Sequence, residues 1–455
     1  MISLPSSMLA VLELFAPLFS RPTFRKGILL MAGHLLCRKD RTITNFLRLL
    51  GLQEERRYSK FHDVIRKAKW SAFQASKILL LAIDRQWLCG PQIRIAIDTT
   101  LERRRGPKIH GLGMHRDAVR STRTTKVFSP GHNWLVVCVL IQFPGTKQVW
   151  SLPFLSILLR PMKRLASSKN LQDLKGSRRH KKVTTYARQV VCLLRRWLGP
   201  NREIVLVADS AFCCKTICRA CIRQQVLFCS HFRLNASLYD FPPKRKGGKG
   251  RPRVVGQRLP NLGCIAADPL TKWRLCSMSW YGGGTKELEV CTGTCLWYHN
   301  SCGRPIHIQW TLTRDPGGEG EVTPLLCTGL NATAAEIIEH YVGRWSIETT
   351  FQELRAQLGF ESTRTWADQG IERMAPAIIA SFSLTCLIAA KSQKDRSVDI
   401  EPISTAWYQK RDVTFSDILS HVRLLILNEN IIPQAWKQDD MGESLLQQVL
   451  SRMIL

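Results

Sequence analysis

The spacing of apolar residues between positions 90 and 210 predicts a small sheet and one helix. Four apolar runs have the length of strands: 93–98, 134–143, 147–152 and 204–208. Pro144-Gly145 separates the second run from the third, so we expect these two to form an antiparallel hairpin. Helical spacing of apolar residues predicts an amphipathic helix at 183–198. The basic segment 103–132 is expected to be looped out.

This order of three strands, a helix and a further strand is typical of a ribonuclease-H-like fold, an α/β architecture built on a mixed sheet. Four more short β-type runs predict a β-rich insertion in that fold: 273–281, 287–298, 305–314 and 323–328. Four tryptophans lie in or beside these runs: Trp273, Trp280, Trp297 and Trp310. A tryptophan on a strand is most often a core residue, and stacking on a nucleic-acid base is the alternative.

The charge of the chain points to a polyanionic partner. The formal net charge is +31, from 66 Lys and Arg against 35 Asp and Glu. Such an excess repels itself unless a polyanion neutralises it, so nucleic acid is the expected partner and an anionic membrane surface the lesser alternative. Seven residues in two basic segments are predicted to contact phosphate: Arg178, Arg179, Lys181, Lys182, Lys244, Arg245 and Lys246.

Helical patterns dominate both ends of the chain. Short helices between 20 and 90 alternate with basic residues, which suits a DNA-reading helix-turn-helix, with a helical collar on the sheet as the alternative. An apolar helix near 373–391 should cover the sheet, and helices are also expected at 414–427 and 443–454. The predicted division is a helical DNA-binding region at 1–90, a first core part at 91–236, the β-rich insertion at 237–332, a second core part at 333–395 and a helical C-terminal region at 396–455.

Two aspartates follow apolar runs of the predicted sheet. Asp98 ends the run 95–97 and Asp209 ends the run 204–208. Each is therefore expected at the carboxyl end of a buried strand, where ligands collect in open α/β sheets. Asp315 also ends an apolar run and is the main rival, although its neighbours are typical of a hairpin exit.

A third carboxylate lies in a segment with helical periodicity at 341–358. At about 100° per residue, Tyr341, Arg344, Glu348 and Arg355 fall within roughly 60° of arc, beside an apolar stripe. The capping-box spacing of 333–336 predicts the start of this helix, Gly359 predicts its end, and Gly343 could break it. The alternative is a solvated face with ordinary i, i+4 ion pairs.

Two strand-end acids and one helix acid, in this order, resemble the catalytic motifs of the DDE superfamily of insertion-sequence transposases. Within that superfamily, Tyr341, Arg344, Glu348 and Arg355 are similar to a Tyr-x2-Arg-x3-Glu-x6-Lys signature, with arginine in place of the final lysine. The surroundings of Asp98 and Asp209 look like the two aspartate motifs of the family. The resemblance covers about residues 20 to 390, and the three motifs are specific only jointly.

The resemblance implies a ribonuclease-H-like transposase that binds its element ends, cleaves the DNA and joins the 3′ ends to target DNA. Asp98, Asp209 and Glu348 would be the catalytic residues and would hold two Mg²⁺ ions, or Mn²⁺, since hard cations favour carboxylate oxygens. Tyr341, Arg344 and Arg355 would bind DNA beside them. The expected partner is double-stranded DNA, both element ends and target, bound by a homodimer.

Other readings of the chain stay open. A catalytically silent DNA-binding protein would keep the basic surface without the metal site, and a non-mobile nuclease of the same fold would need no end recognition. Glu13 interrupts the apolar residues 2–19 and no basic stretch precedes them, so we expect no signal peptide or membrane span and a cytoplasmic protein. The resemblance to insertion-sequence transposases implies a bacterial protein that is at the nucleoid when bound to DNA. The pairs Cys218/Cys221 and Cys229/His231 suggest zinc, with buried free thiols as the favoured alternative.

Overall fold

The computed structural model describes residues 4–122, 124–161, 181–243, 252–299, 303–317, 320–396 and 399–431. The helices in these ranges are α1 (Ser6–Glu13), α2 (Arg21–Leu36), α3 (Ile43–Leu49), α4 (Ser59–Arg66), α5 (Ala72–Trp87), α6 (Val183–Leu198), α7 (Lys215–Arg223), α8 (Leu262–Ala267), α9 (Ala334–Gly343), α10 (Ser346–Ala356), α11 (Asp368–Arg396) and α12 (Phe415–Ile431). The strands are β1 (Gln92–Arg103), β2 (Gly113–Arg116), β3 (Phe128–Gln142), β4 (Val149–Leu159), β5 (Glu203–Ala208), β6 (Val226–His231), β7 (Leu238–Tyr239), β8 (Arg274–Ser279), β9 (Thr285–Trp297), β10 (Ile306–Arg314) and β11 (Thr323–Cys327).

The centre of the sheet has the strand order β4-β3-β1-β5-β6. β1, β3 and β4 pair antiparallel, whereas β5 and β6 run parallel to β1. This is the ribonuclease-H-like arrangement, so the predicted fold class is confirmed. The helix predicted at 183–198 is α6, and the predicted hairpin is β3 and β4.

The β-rich insertion continues this sheet. β11 pairs with β6, β10 with β11, and β9 with β10, while β7 and β8 both pair with β9. The four predicted runs correspond to β8, β9, β10 and β11. Because their backbone groups hydrogen-bond to the central sheet through β6, the insertion shares one sheet of eleven strands with the core within the described ranges.

β1 is longer than the sequence predicts, and this corrects two expectations. The strand continues through polar residues to Arg103, which pairs with Gly131 at the start of β3. Asp98 therefore lies inside β1 and does not end it. The segment 103–132 is also not simply looped out, since it includes β2 and the first residues of β3. Apolar periodicity missed these parts because an antiparallel ladder is held by backbone hydrogen bonds whatever its side chains.

The segment predicted as one helix at 341–358 forms two. Thr333 and Glu336 make the predicted capping box at the start of α9. The backbone then tightens, because the amides of Arg344 and Trp345 each bond to the carbonyl three residues earlier. α10 begins at Ser346. Beyond its end Gly359 has a φ of 68°, in the left-handed region that favours glycine, as the predicted stop requires.

The N-terminal helices pack on the sheet. Residues of α1, α2 and α5, among them Met8, Leu35, Leu79 and Ile83, share one apolar core with the central strands. A smaller cluster joins α2, α3 and α4. This is the packing expected of a helical collar, and DNA reading by the same helices stays a prediction. The boundaries of the five predicted regions likewise stay a prediction.

α11 is the long apolar helix predicted near 373–391, and it packs against β4, α1, α5 and α12. In the described ranges, the segment Asp368–Asp395 of this helix is long and apolar enough to cross a membrane, yet 72% of its 18-residue apolar window is buried inside the protein. It is therefore a core helix by its packing. α12 corresponds to the helix predicted at 414–427, whereas the helix predicted at 443–454 lies outside the described residues.

Candidate functional site

The parallel pairing of β1 with β5 brings two aspartates to the same level of the sheet. The last paired residues are Ile97 on β1 and Ala208 on β5, and Asp98 and Asp209 follow them directly. β5 ends there, whereas β1 continues only in its antiparallel pairing with β3. Asp98 and Asp209 are thus next to each other at the carboxyl end of the parallel ladder, where α/β sheets place their ligands.

Arg344 connects the strand carboxylate to the helix carboxylate. Its Nη1 donates to Asp98 Oδ2 at 3.1 Å, and its Nη2 donates to Glu348 Oε1 at 3.1 Å. The guanidinium group is nearly buried, with 9% of the side chain exposed, against 20% for Asp98 and 39% for Glu348. The turn between α9 and α10 therefore places a cation between two acids that are 250 residues apart in the sequence.

Asp98 has a strongly perturbed acidity. Its pKa is raised to about 6, mainly by burial and to a smaller extent by the charges of Asp209 and Glu348, while Arg344 and the backbone amide of Thr99 act in the opposite direction. Asp98 therefore lies close enough to Asp209 and to Glu348 to be repelled by the charge of each. A site with this excess of negative charge is suited to a cation.

The three carboxylates have the chemistry of a divalent-metal site, although their side chains do not converge on one point. Carboxylate oxygens are what hard cations such as Mg²⁺ and Mn²⁺ favour. Across the described ranges, however, no group of three His, Cys, Asp or Glu side chains is close enough to hold a metal ion. Arg344 lies between Asp98 and Glu348 and supplies part of the counter-charge that a metal would supply.

Tyr341 lies against Arg344 on the side of β6. The guanidinium carbon of Arg344 is 5.5 Å from the centre of the Tyr341 ring. The ring of His231, at the end of β6, is 6.2 Å from the same phenol ring. Burial raises the pKa of Tyr341, and the charge of Asp209 contributes to that rise. The predicted residues Tyr341, Arg344 and Glu348 are thus assembled around the two aspartates.

Arg355, the fourth residue of the signature, points into the protein. Its Nε donates to Glu361 at 2.8 Å, its Nη1 to the Phe351 carbonyl at 3.1 Å, and its Nη2 to Thr100 Oγ1 at 2.6 Å and the Leu101 carbonyl at 3.2 Å. Each of its three nitrogens therefore has a protein acceptor.

The remaining predicted DNA-binding residues are not part of this assembly. Lys181 and Lys182 are exposed at the start of α6, and the described contacts include no ion pair between them and the three carboxylates. Arg178, Arg179, Lys244, Arg245 and Lys246 lie outside the described residues. Their role in binding DNA stays a prediction.

Two exposed aromatic residues beside the carboxylates were missed by the sequence reasoning. Trp345 follows Arg344 directly, is 49% exposed, and has its ring 5.7 Å from that of Tyr281, which is 42% exposed. Burial raises the pKa of Tyr281, and Arg344 and Glu348 both act on it electrostatically. Their signal in the sequence was the position of Trp345 inside the signature itself.

The four tryptophans of the insertion are less available for stacking on a base than Trp345 and Tyr281. Trp310 is buried, and the other three are partly buried beneath the cations of Arg314, Lys286 and Lys215. The rival acid Asp315 is half-exposed and pairs with Lys286 on β9.

Cys218, Cys221 and Cys229 are buried free thiols on α7 and β6. Burial raises the pKa of Cys218 and Cys221, and a hydrogen bond with Cys327 together with burial raises that of Cys229. These are the buried free thiols that the sequence favours over a zinc site.

Comparison with known proteins shows that the chain matches one protein family. The profile of a family described as DDE superfamily endonuclease matches residues 14–287, which include Asp98 and Asp209 and end before Glu348. No curated protein matches the chain. A cryo-EM structure of a piggyBac transposase synaptic complex with hairpin DNA is 12% identical and covers 96% of this chain and 81% of that one, with a TM-score of 0.38.

Proposed function

This chain belongs to the DDE superfamily endonuclease family, and from that premise we propose that it is a DNA transposase. It binds the ends of its mobile element, cleaves the phosphodiester bond there and joins the freed 3′ ends to target DNA. The observation that supports this most strongly is the assembly of Asp98, Asp209 and Glu348 at the carboxyl end of the parallel strands, with Arg344 between two of them.

Asp98, Asp209 and Glu348 are the residues that would hold the divalent ions, Mg²⁺ or Mn²⁺ and two in number. When bound, such ions supply Lewis acidity that neutralises charge on the scissile phosphate and on the oxygen that leaves. The chain itself supplies position and charge. Asp98 and Asp209 are fixed by the two strands, and Glu348 approaches them on α10.

Arg344 has two roles in this proposal. In the protein without DNA it pairs with both Asp98 and Glu348 and balances part of their negative charge. With DNA bound, its planar guanidinium can donate to a phosphate beside the cut, because arginine matches phosphate geometry. The phenol of Tyr341 lies beside it and offers a further polar contact.

Trp345 and Tyr281 would bind an unpaired base next to the cut. Both rings are exposed, they contact each other, and Trp345 adjoins the residue that bridges the acids. An aromatic face can stack on any base, so such a contact holds a displaced nucleotide regardless of its sequence.

The test uses purified full-length protein and duplexes that carry the DNA flanking its coding region on either side. With Mg²⁺ or Mn²⁺ we expect cleavage at the element ends and, with a second duplex added, joined products. Asp98→Asn, Asp209→Asn and Glu348→Gln should each abolish cleavage, because they keep the shape but remove the charge that a hard cation needs. Asp315→Asn, which changes an exposed acid, is the matched control.

Each alternative has its own outcome in this assay. Cleavage without joined products, and without preference for the flanking DNA, would indicate a non-mobile nuclease. Tight binding without metal-dependent cleavage would indicate a silent DNA-binding protein. Loss of cleavage in Asp315→Asn but not in Asp209→Asn would overturn the assignment of the second carboxylate.

A further inference from the structure

We propose that Arg355 is a positioning residue, which ties α10 to β1 and thereby sets Glu348 against Asp98, and not a clamp on the DNA phosphate. This inference rests on the proposed function, since it concerns the geometry of the same carboxylates. It changes what a substitution at this position should do, because a phosphate clamp needs only a long cation, whereas a positioning residue needs a particular hydrogen-bond geometry.

The first connection runs from the end of α10 to β1. Arg355 Nη2 donates to Thr100 Oγ1 at 2.6 Å and to the Leu101 carbonyl at 3.2 Å. Thr100 is two residues after Asp98, so the two side chains lie on the same face of the strand. Arg355 is seven residues, about two helical turns, after Glu348 and lies on the same side of the helix. Arg355 therefore joins the helix face that carries Glu348 to the strand that carries Asp98.

The second connection runs through Glu361. Arg355 Nε donates to Glu361 Oε1 at 2.8 Å, and Arg103 Nη1 donates to the same oxygen at 2.8 Å. Arg103 belongs to β1 and is itself held by Asp117 through two hydrogen bonds, at 2.6 and 2.8 Å. The Asp117 side chain is only 1% exposed. Arg355 is therefore anchored to β1 twice, once directly and once through an acid whose other partner is fixed.

Arg355 adds an anchor of α10 to the sheet toward the C-terminal end of the helix. Near the beginning of the helix, Ser346 Oγ lies 2.6 Å from Ser151 Oγ on β4, and Thr350 Oγ1 donates to the Ser151 carbonyl at 2.9 Å. At that end, the two bonds of Arg344 to Asp98 and Glu348 join groups that should rearrange when a metal binds. The contacts of Arg355 involve none of these three residues. They can hold α10 while the carboxylates change partners.

Lysine should not replace arginine here. A guanidinium donates from three nitrogens in a fixed fork, and in Arg355 that fork reaches Thr100, Leu101 and Glu361 at once. An ammonium group is a single point on a flexible stem and cannot keep these directions together. In a phosphate clamp, by contrast, lysine would serve nearly as well.

The experiment compares Arg355→Lys, Arg355→Ala and Thr100→Val with wild type, and uses Arg364→Ala as the control for loss of an exposed arginine in the same region. Single-turnover cleavage is measured at saturating DNA, together with the DNA dissociation constant. We expect all three test variants to lose about tenfold to a hundredfold in rate, as misplacement of a catalytic group does, with little change in DNA affinity. Arg364→Ala should cleave at the wild-type rate.

A second readout does not depend on cleavage. Mn²⁺ binding to the full-length protein without DNA is titrated by the loss of the free-ion paramagnetic resonance signal. Arg355→Lys should weaken Mn²⁺ affinity about tenfold or more, which is typical when a group that orients metal ligands is removed. Thr100→Val, which removes one acceptor and no charge, should weaken it in the same direction and serves if the arginine variants fail to fold.

The results separate this inference from the function on which it rests. Wild-type cleavage and Mn²⁺ affinity in Arg355→Lys, together with weaker DNA binding in Arg355→Ala, would overturn the positioning role in favour of a phosphate clamp. Persistent cleavage by Asp98→Asn would overturn the proposed function instead. A wild-type protein that binds no Mn²⁺ would overturn both, because no metal site would then exist for Arg355 to order.

Discussion

Arg344→Gln should destabilise the protein in the absence of metal, and a divalent ion should restore much of the loss. Glutamine keeps a polar side chain but leaves Asp98 and Glu348 without the cation between them. The pair with Asp98 is largely buried, with 9% and 20% of the side chains exposed, so breaking it should cost about 3 kcal/mol. The pair with Glu348 is 39% exposed on the acid side and adds only about 0.2–1 kcal/mol. A lowering of Tm by about 3–4 °C is expected for a chain of this length.

Divalent ion should act more strongly on the variant than on the wild type. An ion present at a hundred times its dissociation constant stabilises the folded state by about 2.7 kcal/mol, which is comparable to the loss. In the wild type, part of that gain is offset because Arg344 already neutralises Asp98 and Glu348. We therefore expect MnCl₂ to raise the Tm of Arg344→Gln by more than it raises the Tm of the wild type.

The assay is thermal unfolding in EDTA and in MnCl₂, followed by circular dichroism. Arg314→Gln is the matched control, because Arg314 also donates to a carboxylate, that of Glu289, on the strands of the insertion. Its Tm should respond to MnCl₂ as the wild type does. The reasoning is refuted if Arg344→Gln is as stable as the wild type in EDTA, or if MnCl₂ raises both melting temperatures equally.

Three further predictions follow from charge, burial and exposure. Affinity for duplex DNA should fall steeply with salt, with a log–log slope of roughly −5 or steeper, because of the net charge of +31; a slope near zero in a fluorescence titration would remove nucleic acid as the main partner. Burial lowers the pKa of His34 from 6.5 to about 3, so its contribution to stability is complete above pH 6.5 and is lost as pH falls toward 3. In urea unfolding, lowering the pH from 7 to 5 should reduce the free energy of unfolding of the wild type by about 2 kcal/mol more than that of His34→Gln. Equal reductions in the two proteins would contradict this prediction. Trp345→Ala and Tyr281→Ala should each slow single-turnover cleavage about tenfold, and unchanged rates would show that neither ring holds a base.

The features of the fold that depend on local physics could be predicted from the amino-acid sequence. Apolar runs predicted strands β1, β3, β4 and β5. Helical spacing predicted α6 with both of its ends. The capping box of Thr333 and Glu336 formed as its spacing predicts. Asp98 and Asp209 could be placed together because the carboxyl ends of parallel strands meet at one edge of a sheet.

The contacts of the polar side chains depend on long-range packing and could not be predicted from the sequence. Arg344 and Arg355 lie on one helix face in the sequence pattern and looked equivalent, yet Arg344 meets the carboxylates and Arg355 meets Thr100 and Glu361. Periodicity gives the face of a helix but not the surface that the face contacts. The partner of a buried charge is set by which segment packs opposite it, and for Asp98 that segment comes 246 residues later in the chain.

The extent of the sheet was also decided in three dimensions. The continuation of β1 to Arg103 and the pairing of β11 with β6 rest on backbone hydrogen bonds between segments that are distant in sequence. Such bonds do not require particular side chains. The sequence pattern therefore predicts loops where polar strands form, and a separate region where the insertion continues the sheet. The exposure of Trp345 and Tyr281 has the same origin, because a ring is free or buried according to what the fold places over it.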